Sequence, residues 1–312
     1  MRAVGFMEFG GPEVLQVIDV PEVHPGQGEI RIKNHAATVN PTDLLARNGS
    51  RAETMRTDPP PYIPGMEIAG IVDEIGEGTD SEFSIGDKVL GIVVTKGSHG
   101  GYREQIVLNT NSVVRMPEGK TFAEACTLPM NALTARQVID RLDLKPGEVI
   151  CVTGAAGAFG GYVIQLAKSD GLTVVADASD KDVELVKNLG ADIVVGRGPE
   201  FSEHVRKYFR DGVDGLADGA VLKDGAVPAV KDGGAFSSVR GWQGNSDRNI
   251  RFEITSVRSY AFEKSKLEKL RDQVEEGILT LRLAEVFSPE NASEAHRRLE
   301  NGGIRGRLVI QF

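Results

Sequence analysis

The chain has 312 residues, a formal net charge of −9, and 40% hydrophobic and 26% charged side chains. That is long for one domain, comfortable for two, and ordinary for a globular protein, while the acidic balance argues against sequence-independent nucleic-acid binding, which needs a cationic face. No apolar run approaches a membrane span, Met1–Gly10 lacks a signal-peptide apolar segment, and the two cysteines (Cys126, Cys151) exclude a disulfide framework; the expectation is a cytoplasmic protein with Cys151 as a buried thiol.

In chain order, the first third is β-rich. Leu15–Val20, Glu29–Thr38, Glu67–Ile75, Lys88–Thr95 and Tyr102–Leu108 are apolar or alternating runs between Pro/Gly punctuation, and read as strands. The texture changes at Thr121. A helical pattern spans Phe122–Asp140, and strand and helix signals then alternate. They are a strand at Val149–Val152, a helix at about Gly160–Lys168, Leu172–Ala176, Lys181–Leu189, Ile193–Val195, Glu203–Tyr208, Gly215–Ala217 and Ala235–Val239. Such βαβα alternation predicts a parallel sheet covered on both faces. A helix at Ala292–Glu300 and a strand at Arg307–Phe312 close the chain, with no repeats and no long linker.

The most informative segment is Val149–Asp177. Its strand–turn–helix–strand carries Ala155-x-Gly157-x-x-Gly160, a variant of the dinucleotide fingerprint with Ala in the first glycine place. Gly157 lets the backbone approach a pyrophosphate, Gly160 lets the helix lie close on the strand, and the helix N-terminus offers N–H groups and a positive dipole end. Ala156, Gly157, Ala158, Phe159 and Gly160 are therefore the first cofactor candidates. Ala158 and Phe159 stand where Gly-Val is commoner, but the Phe159 N–H remains available.

Asn40-Pro41-Thr42-Asp43, Pro64-Gly65-Met66-Glu67-x-Ala69-Gly70-x-Val72, Gly86-Asp87-Lys88-Val89 and Gly100-Gly101-Tyr102-x-Glu104 precede that turn. Thr134-Ala135 also precedes it; Leu189-Gly190-Ala191-Asp192 and Gly306-Arg307-Leu308-Val309 follow. In this order they resemble the medium-chain dehydrogenase/reductase superfamily, and within it the zinc-free quinone oxidoreductases of the zeta-crystallin-like branch, over essentially the whole chain. The resemblance implies an α/β plus β architecture. A GroES-like β-barrel catalytic domain (1–120, completed by 285–312) would hold an inserted doubly wound Rossmann NAD(P)-binding domain (121–284), with the cofactor in the cleft.

Zinc-dependent relatives hold the ion with a Cys and a His of the first domain plus a third ligand. By resemblance those two positions are Asn40 and Met66 here, and no Cys or His lies between Thr127 and Arg136. An amide and a thioether do not make the usual N/S tetrahedral site. Residues 77–125 contain no Cys for a structural zinc lobe, and the five histidines (His24, His35, His99, His204, His296) show no ligand spacing. No metal is expected. Without a Lewis acid, reduction of an acceptor that stabilises its own developing charge fits better than alcohol oxidation.

The cofactor signals are mixed. Asp177, twenty residues after Gly157, is about where a carboxylate bonds the ribose hydroxyls in NAD enzymes, which favours NADH. Laid on the family, Asp177 falls one residue early and Ala178 takes the acidic place. Ser179, Lys181 and Arg197 then offer a hydroxyl and two cations to a 2′-phosphate, which favours NADPH; the alternative is that Lys181 serves the next helix and Arg197 is a loop charge. NADPH is the expected cofactor, with NADH through Asp177 as the alternative. The resemblance also places Asn40 and Thr134 near the nicotinamide, Val239 and Arg240 beside it, and Arg307 near the pyrophosphate or, equally, as a solvated strand residue.

Catalytic residues are less legible. Relatives often carry a Tyr where this chain has Leu45, so Asn40 is the leading polar candidate at the reacting centre and Tyr62, which could also simply pack in its proline-rich loop, the second. Asp43 is expected to fix the loop, water to supply the proton, and Leu45, Met66 and Met130 to make an apolar pocket for a hydrophobic small molecule. The expected function is zinc-independent, NADPH-dependent hydride transfer to a quinone or α,β-unsaturated carbonyl. The alternatives are an enoyl-thioester reductase and a non-catalytic dinucleotide-binding protein. No nucleic-acid or membrane partner is expected; Arg251–Ile254 reads as a late strand of the nucleotide-binding sheet, and the resemblance implies a homodimer, since relatives pair edge to edge there.

Overall fold

β-branched runs broken by Pro and Gly become short paired strands in the computed structural model, which describes residues 1–80, 82–245 and 248–312. β1 (Arg2–Gly5) and β2 (Gln16–Asp19) pair antiparallel. The strands β3 (Glu29–Val39), β4 (Glu67–Ile75), β5 (Lys88–Ile92), β6 (Gln105–Asn109) and β7 (Val113–Arg115) form antiparallel ladders. Their inward residues Ile30, Ile32, Ile68, Val72, Val89 and Ile106 make one core. Between β3 and β4 lie two short helices, α1 (Pro41–Arg47) and α2 (Ala52–Met55). Pro41 opens α1 at its first position, where a missing N–H costs nothing.

The helix expected over Phe122–Asp140 is two helices, α3 (Phe122–Ala125) and α4 (Pro129–Leu142). Thr121 and Glu124 start α3 with a capping box, in which Thr121 Oγ1 accepts the Glu124 N–H at 3.2 Å and Glu124 Oε2 accepts the Thr121 N–H at 2.9 Å. Pro129 forces the break, because a proline disfavours helical geometry in the residue before it.

β8 (Val149–Thr153), α5 (Ala158–Ser169), β9 (Thr173–Ala178), α6 (Val183–Asn188), β10 (Ile193–Gly196), α7 (Phe201–Tyr208), β11 (Val213–Asp218), β12 (Val230–Ser238) and β13 (Arg251–Ile254) follow. The strands make a six-stranded parallel sheet in the order β10-β9-β8-β11-β12-β13. Counted from β8 this is 3-2-1-4-5-6, the doubly wound order whose switch point lies at its first strand. Cys151, Val175, Leu216 and Phe236 are buried in its core, and burial pushes the Cys151 thiol up, away from reactivity. The chain ends with α8 (Lys264–Glu275), β14 (Leu283–Phe287), α9 (Ala292–Glu300) and β15 (Arg307–Gln311). β14 pairs parallel to β15, and β15 joins β3 antiparallel.

Contacts divide the chain into two units, Met1–Met130 with Ala261–Glu275 and Leu281–Phe312, and Asn131–Tyr260 with Glu276–Thr280. These are drawn at other residues than the domain bounds read from the sequence: α3 packs on β3 and β4, and α8 on β7. Among the described residues no helix is long and apolar enough to cross a membrane.

Gly70 marks a tight crossing of β3 and β4 in the first unit. A Cβ there would stand 2.2 Å from the Lys33 carbonyl oxygen, where the β3–β4 ladder changes register. Gly70→Ala is expected to lower stability by about 1–3 kcal/mol, the cost of overpacking a site whose neighbour is backbone. Urea unfolding checks this; an unchanged midpoint would show that the ladder yields freely.

Candidate active site

In the second unit β8 runs into a turn made by Gly154, at φ +65°, in the left-handed region that a side chain disfavours. The task of the fingerprint's first glycine is thus done one residue before Ala155, which is why the sequence pattern looked incomplete. A Cβ on Gly160 would lie 2.4 Å from the Gly154 oxygen and 2.7 Å from the Ala155 Cα, so only glycine lets α5 start this close to the strand. Gly157 is the N-cap of α5 and has no side chain to cap it. The first-turn N–H groups of Ala158, Phe159 and Gly160 have no preceding turn to donate to, so they and the dipole favour an anion. The Phe159 ring turns toward Gly219, where the missing Cβ leaves it room. Ala156 is buried in the turn.

Asp177 does not face solvent. It is 6% exposed, its Oδ1 accepts the Ala155 N–H at 2.9 Å, and burial raises its carboxyl pKa against the pull of that bond and of Arg197. The carboxylate braces the glycine turn. Beyond it, Ser179 Oγ donates to Asp182 Oδ2 at 2.5 Å, and Lys181 is exposed. Gly196 pairs with Ala178 and the Arg197 N–H reaches the Ala178 oxygen at 3.3 Å, so the exposed Arg197 stands across from Ser179. Ser179, Lys181 and Arg197 therefore share the carboxyl end of β9 and β10, beside the glycine turn. Val239 is half-buried and Arg240 exposed just after β12, and the Val239 N–H approaches the Asp218 oxygen at 3.4 Å. Thr134 is buried in α4.

Sequence reasoning missed Asp218, the last residue of β11. Fully buried, it accepts the Thr153 hydroxyl at 2.7 Å and the N–H groups of Leu222 and Lys223 at 2.9 Å each. It thereby holds a loop in which Val221 and Lys223 have φ of +59° and +55°. A polar residue ending the apolar run Gly215–Ala217 was the available signal.

In the first unit the centre is Glu67, at 0% exposure. Its Oε1 accepts from the Thr38 hydroxyl, from Arg307 Nη2 and, at 3.2 Å, from Asn40 Nδ2; its Oε2 accepts the Met130 N–H at 2.7 Å. Arg307 Nη2 also donates to Asn40 Oδ1 at 2.6 Å and to Thr38 Oγ1 at 2.9 Å. Three of the expected roles change. Arg307 is buried and ion-paired to Glu67, not a solvated strand residue, and its Nη2 is spent inside the unit. Asn40, expected to donate to the acceptor or the carboxamide, is fully buried with its amide engaged by Arg307, Glu67 and Thr38. Tyr62 is a core aromatic: it stacks on Phe9 at 5.3 Å, and its hydroxyl donates to the Asp58 oxygen at 3.1 Å. Asn40 and Arg307 are positioning groups here, and Tyr62 a packing one. Glu67 stood inside a quoted motif, but nothing local in the sequence marks it as the hub.

Asp43 fixes the loop after β3, accepting the N–H groups of Asn40 at 2.9 Å and Gly65 at 3.1 Å and the Tyr102 hydroxyl at 3.2 Å. Burial pushes its carboxyl up to about 6, against those three bonds. Tyr102 also meets His296 Nε2 at 3.2 Å; burial, then the nearby Arg47 charge, depresses His296 to about 3.

The donor set does not fit zinc. Asn40 Oδ1 is taken by a guanidinium, and Met66 Sδ accepts the Thr42 hydroxyl at 3.0 Å. Among the described residues no group of three or more His, Cys, Asp or Glu could hold an ion.

Glu67→Gln would leave Arg307 charged and unpaired in the interior, so it is expected to cost about 3–5 kcal/mol, read as a fall in the urea midpoint; a loss under 1 kcal/mol would show that the pair carries little. The two titrating groups oppose each other. The fold keeps Asp43 protonated above the ordinary 3.8, so its contribution is full below 3.8 and lost as pH rises through about 6. His296 stays neutral in the fold, so its contribution is present above 6.5 and lost as pH falls through about 3. Asp43→Asn removes the first effect and leaves the second. Relative to the parent, the variant is expected to gain about 1.4 kcal/mol per pH unit between pH 4 and 6 in denaturation midpoints converted to free energy. A pH-independent difference would place Asp43 at its ordinary value.

Two family models match, the alcohol dehydrogenase GroES-like domain over residues 26–118 and the zinc-binding dehydrogenase over residues 170–310. The chain is 30% identical to the 2-methylene-furan-3-one reductase of Solanum lycopersicum, over 99% of this chain and 79% of that one. It is 28% identical to the quinone oxidoreductase of Homo sapiens, over 99% and 97%. Among solved structures, an NAD-dependent alcohol dehydrogenase superposes with a TM-score of 0.89 at 30% identity, covering 100% of both chains. With a GroES-like unit completed by its C-terminal strands and a doubly wound unit inserted within it, this chain belongs to the medium-chain dehydrogenase/reductase superfamily, in its quinone-oxidoreductase-like branch.

Proposed function

We propose that the protein transfers hydride from NADPH to a quinone or an α,β-unsaturated carbonyl, without a metal. One observation carries the cofactor half: the cations Lys181 and Arg197 gather at the carboxyl end of β9 and β10, beside the α5 N-terminus. That N-terminus suits a pyrophosphate, and two exposed cations suit a 2′-phosphate. Asp177, the carboxylate that would repel that phosphate, is turned into the glycine turn. Ala156–Gly160, Ser179, Lys181, Arg197, Val239 and Arg240 are the proposed contacts. When bound, NADPH supplies the hydride.

The acceptor half rests on the donor set and the relatives. A 2-methylene-furan-3-one and a quinone, for which two relatives are named, are both conjugated acceptors that delocalise the charge a hydride brings. Asn40 spends its amide on Arg307 and Glu67, so the chain orients the reactants and leaves charge stabilisation largely to the acceptor. Leu45 offers no proton, and water supplies it. The domain bounds 1–120 with 285–312, and 121–284, remain part of this reading. We further propose a cytoplasmic homodimer pairing through β13, which ends the strand order and exposes Ile254.

The test is oxidation of NADPH and NADH, side by side, against a small quinone and a small enone. NADPH should dominate, and Lys181→Ala and Arg197→Ala should each raise its KM about tenfold with little change for NADH, as loss of a charge-assisted phosphate contact predicts. Dominance of NADH would overturn the 2′-phosphate half of the proposal, since Asp177 is turned inward and Lys181 and Arg197 would then be idle. A protein that binds neither dinucleotide would overturn the proposal.

A further inference from the structure

We propose that Asp182 narrows the cofactor preference by holding the proton of Ser179, so that this hydroxyl meets the adenosine 2′ position as an acceptor only. This rests on the dinucleotide reading above. Ser179 follows β9, the second strand of the doubly wound order, and lies across from Arg197. A serine hydroxyl has one proton and two lone pairs. Here the proton goes to Asp182 Oδ2 at 2.5 Å, while the Asp182 N–H donates back to the Ser179 backbone carbonyl oxygen at 2.8 Å and closes the turn. Asp182 is 5% exposed, so water competes little for its carboxylate. A hydroxyl-to-carboxylate bond in such a place is charge-assisted and hard to exchange.

Ser179 is only part-buried, and its lone pairs are what it can offer a ligand. A ribose 2′-hydroxyl can donate to them. A 2′-phosphate dianion brings only acceptors, so lone pairs meet lone pairs, and the Asp182 charge lies behind them. Lys181 and Arg197 pull the other way. Asp182 therefore works through Ser179 as a positioning residue: the two cations favour NADPH, and the Ser179–Asp182 pair limits how far.

The closing experiment measures binding of 2′,5′-ADP and 5′-AMP, along with both dinucleotides, by calorimetry. An amide in place of the Asp182 carboxylate can donate to Ser179 Oγ and release its proton toward the ligand. Asp182→Asn should tighten 2′,5′-ADP about tenfold while 5′-AMP stays level or weakens. Ser179→Ala should weaken 5′-AMP severalfold without weakening 2′,5′-ADP, and it serves even where the first variant fails to fold. On the Ser179→Ala background, Asp182→Asn should no longer move the ratio of the two affinities. An unchanged ratio in the single Asp182 variant, or the same change with Ser179 absent, would overturn the inference, the latter pointing to Asp182 charge alone. If the parent binds the dinucleotides, the dinucleotide site on which this rests stands whichever way the ratio moves; if it binds neither, both fall together.

Discussion

A carboxylate with no exposed surface, that of Glu67, is the point on which the first unit turns. Four groups from three parts of the chain donate to it: the Thr38 hydroxyl at the end of β3 with the Asn40 amide just after it, the Arg307 guanidinium on β15 and the Met130 N–H in the first turn of α4. A charge so deeply buried is tolerable only when it is paired and its lone pairs are filled. Each donor is thereby fixed as firmly as the acid it serves. Asn40, held in this way, also begins α1, and Asp43 three residues on ties that helix to Gly65 and Tyr102. The C-terminal strand enters the same centre, so the unit is complete only when the chain's end has returned to its beginning.

The second unit uses buried carboxylates for a different purpose. Asp177 accepts an N–H of the glycine turn, and Asp218 accepts two from the loop after β11 together with the Thr153 hydroxyl. Both lie at carboxyl ends of strands around the switch point of the sheet, where an open α/β sheet takes its ligand. With those acids turned inward on backbone, the exposed charges at the ends of β9 and β10 include Lys181 and Arg197. The geometry thus gives Asp177 and Asp218 the shaping of turn and loop and leaves Lys181 and Arg197 to solvent, with Asp180 the exposed acid beside them.

What could be read beforehand followed from local pattern. Glu67–Ile75 and Ala292–Glu300 were bounded to the residue by their periodicity and punctuation. The β8–α5–β9 unit was announced by its glycines, although the left-handed Gly154 lay outside the fingerprint as written. The break before Pro129 was visible too, yet the apolar period carried across it. α1, at seven residues, is too short for an apolar period to announce it. α8 has few apolar residues to set a period; Leu267, Leu270 and Val274 are its buried ones. The fates of Asn40 and Arg307 depend on distant partners, and the packing of Tyr62 only in part on its own loop. Arg307 meets Glu67 across 240 positions of sequence, and Tyr62 packs against Phe6 and Phe9 from the start of the chain. No spacing rule reaches that far.

The Glu67 centre also constrains the chemistry. Where zinc-dependent relatives place a metal ligand, Asn40 accepts from Arg307, so the local cation is a guanidinium already neutralised by Glu67. Releasing the Asn40 amide toward a reacting oxygen would strip a partner from Glu67 and another from Arg307, two costs in the interior for one new bond. The centre is therefore better at holding shape than at stabilising a localised alkoxide, the species a saturated carbonyl forms when hydride adds. Conjugated acceptors avoid that demand. Hydride delivered to an enone carbon or a quinone leaves the charge spread over an enolate or phenolate system, and the protein needs to supply chiefly orientation. A positioning centre without an open Lewis acid and a substrate that carries its own charge are in this sense one solution, and the buried Glu67–Arg307 pair is what makes the two go together.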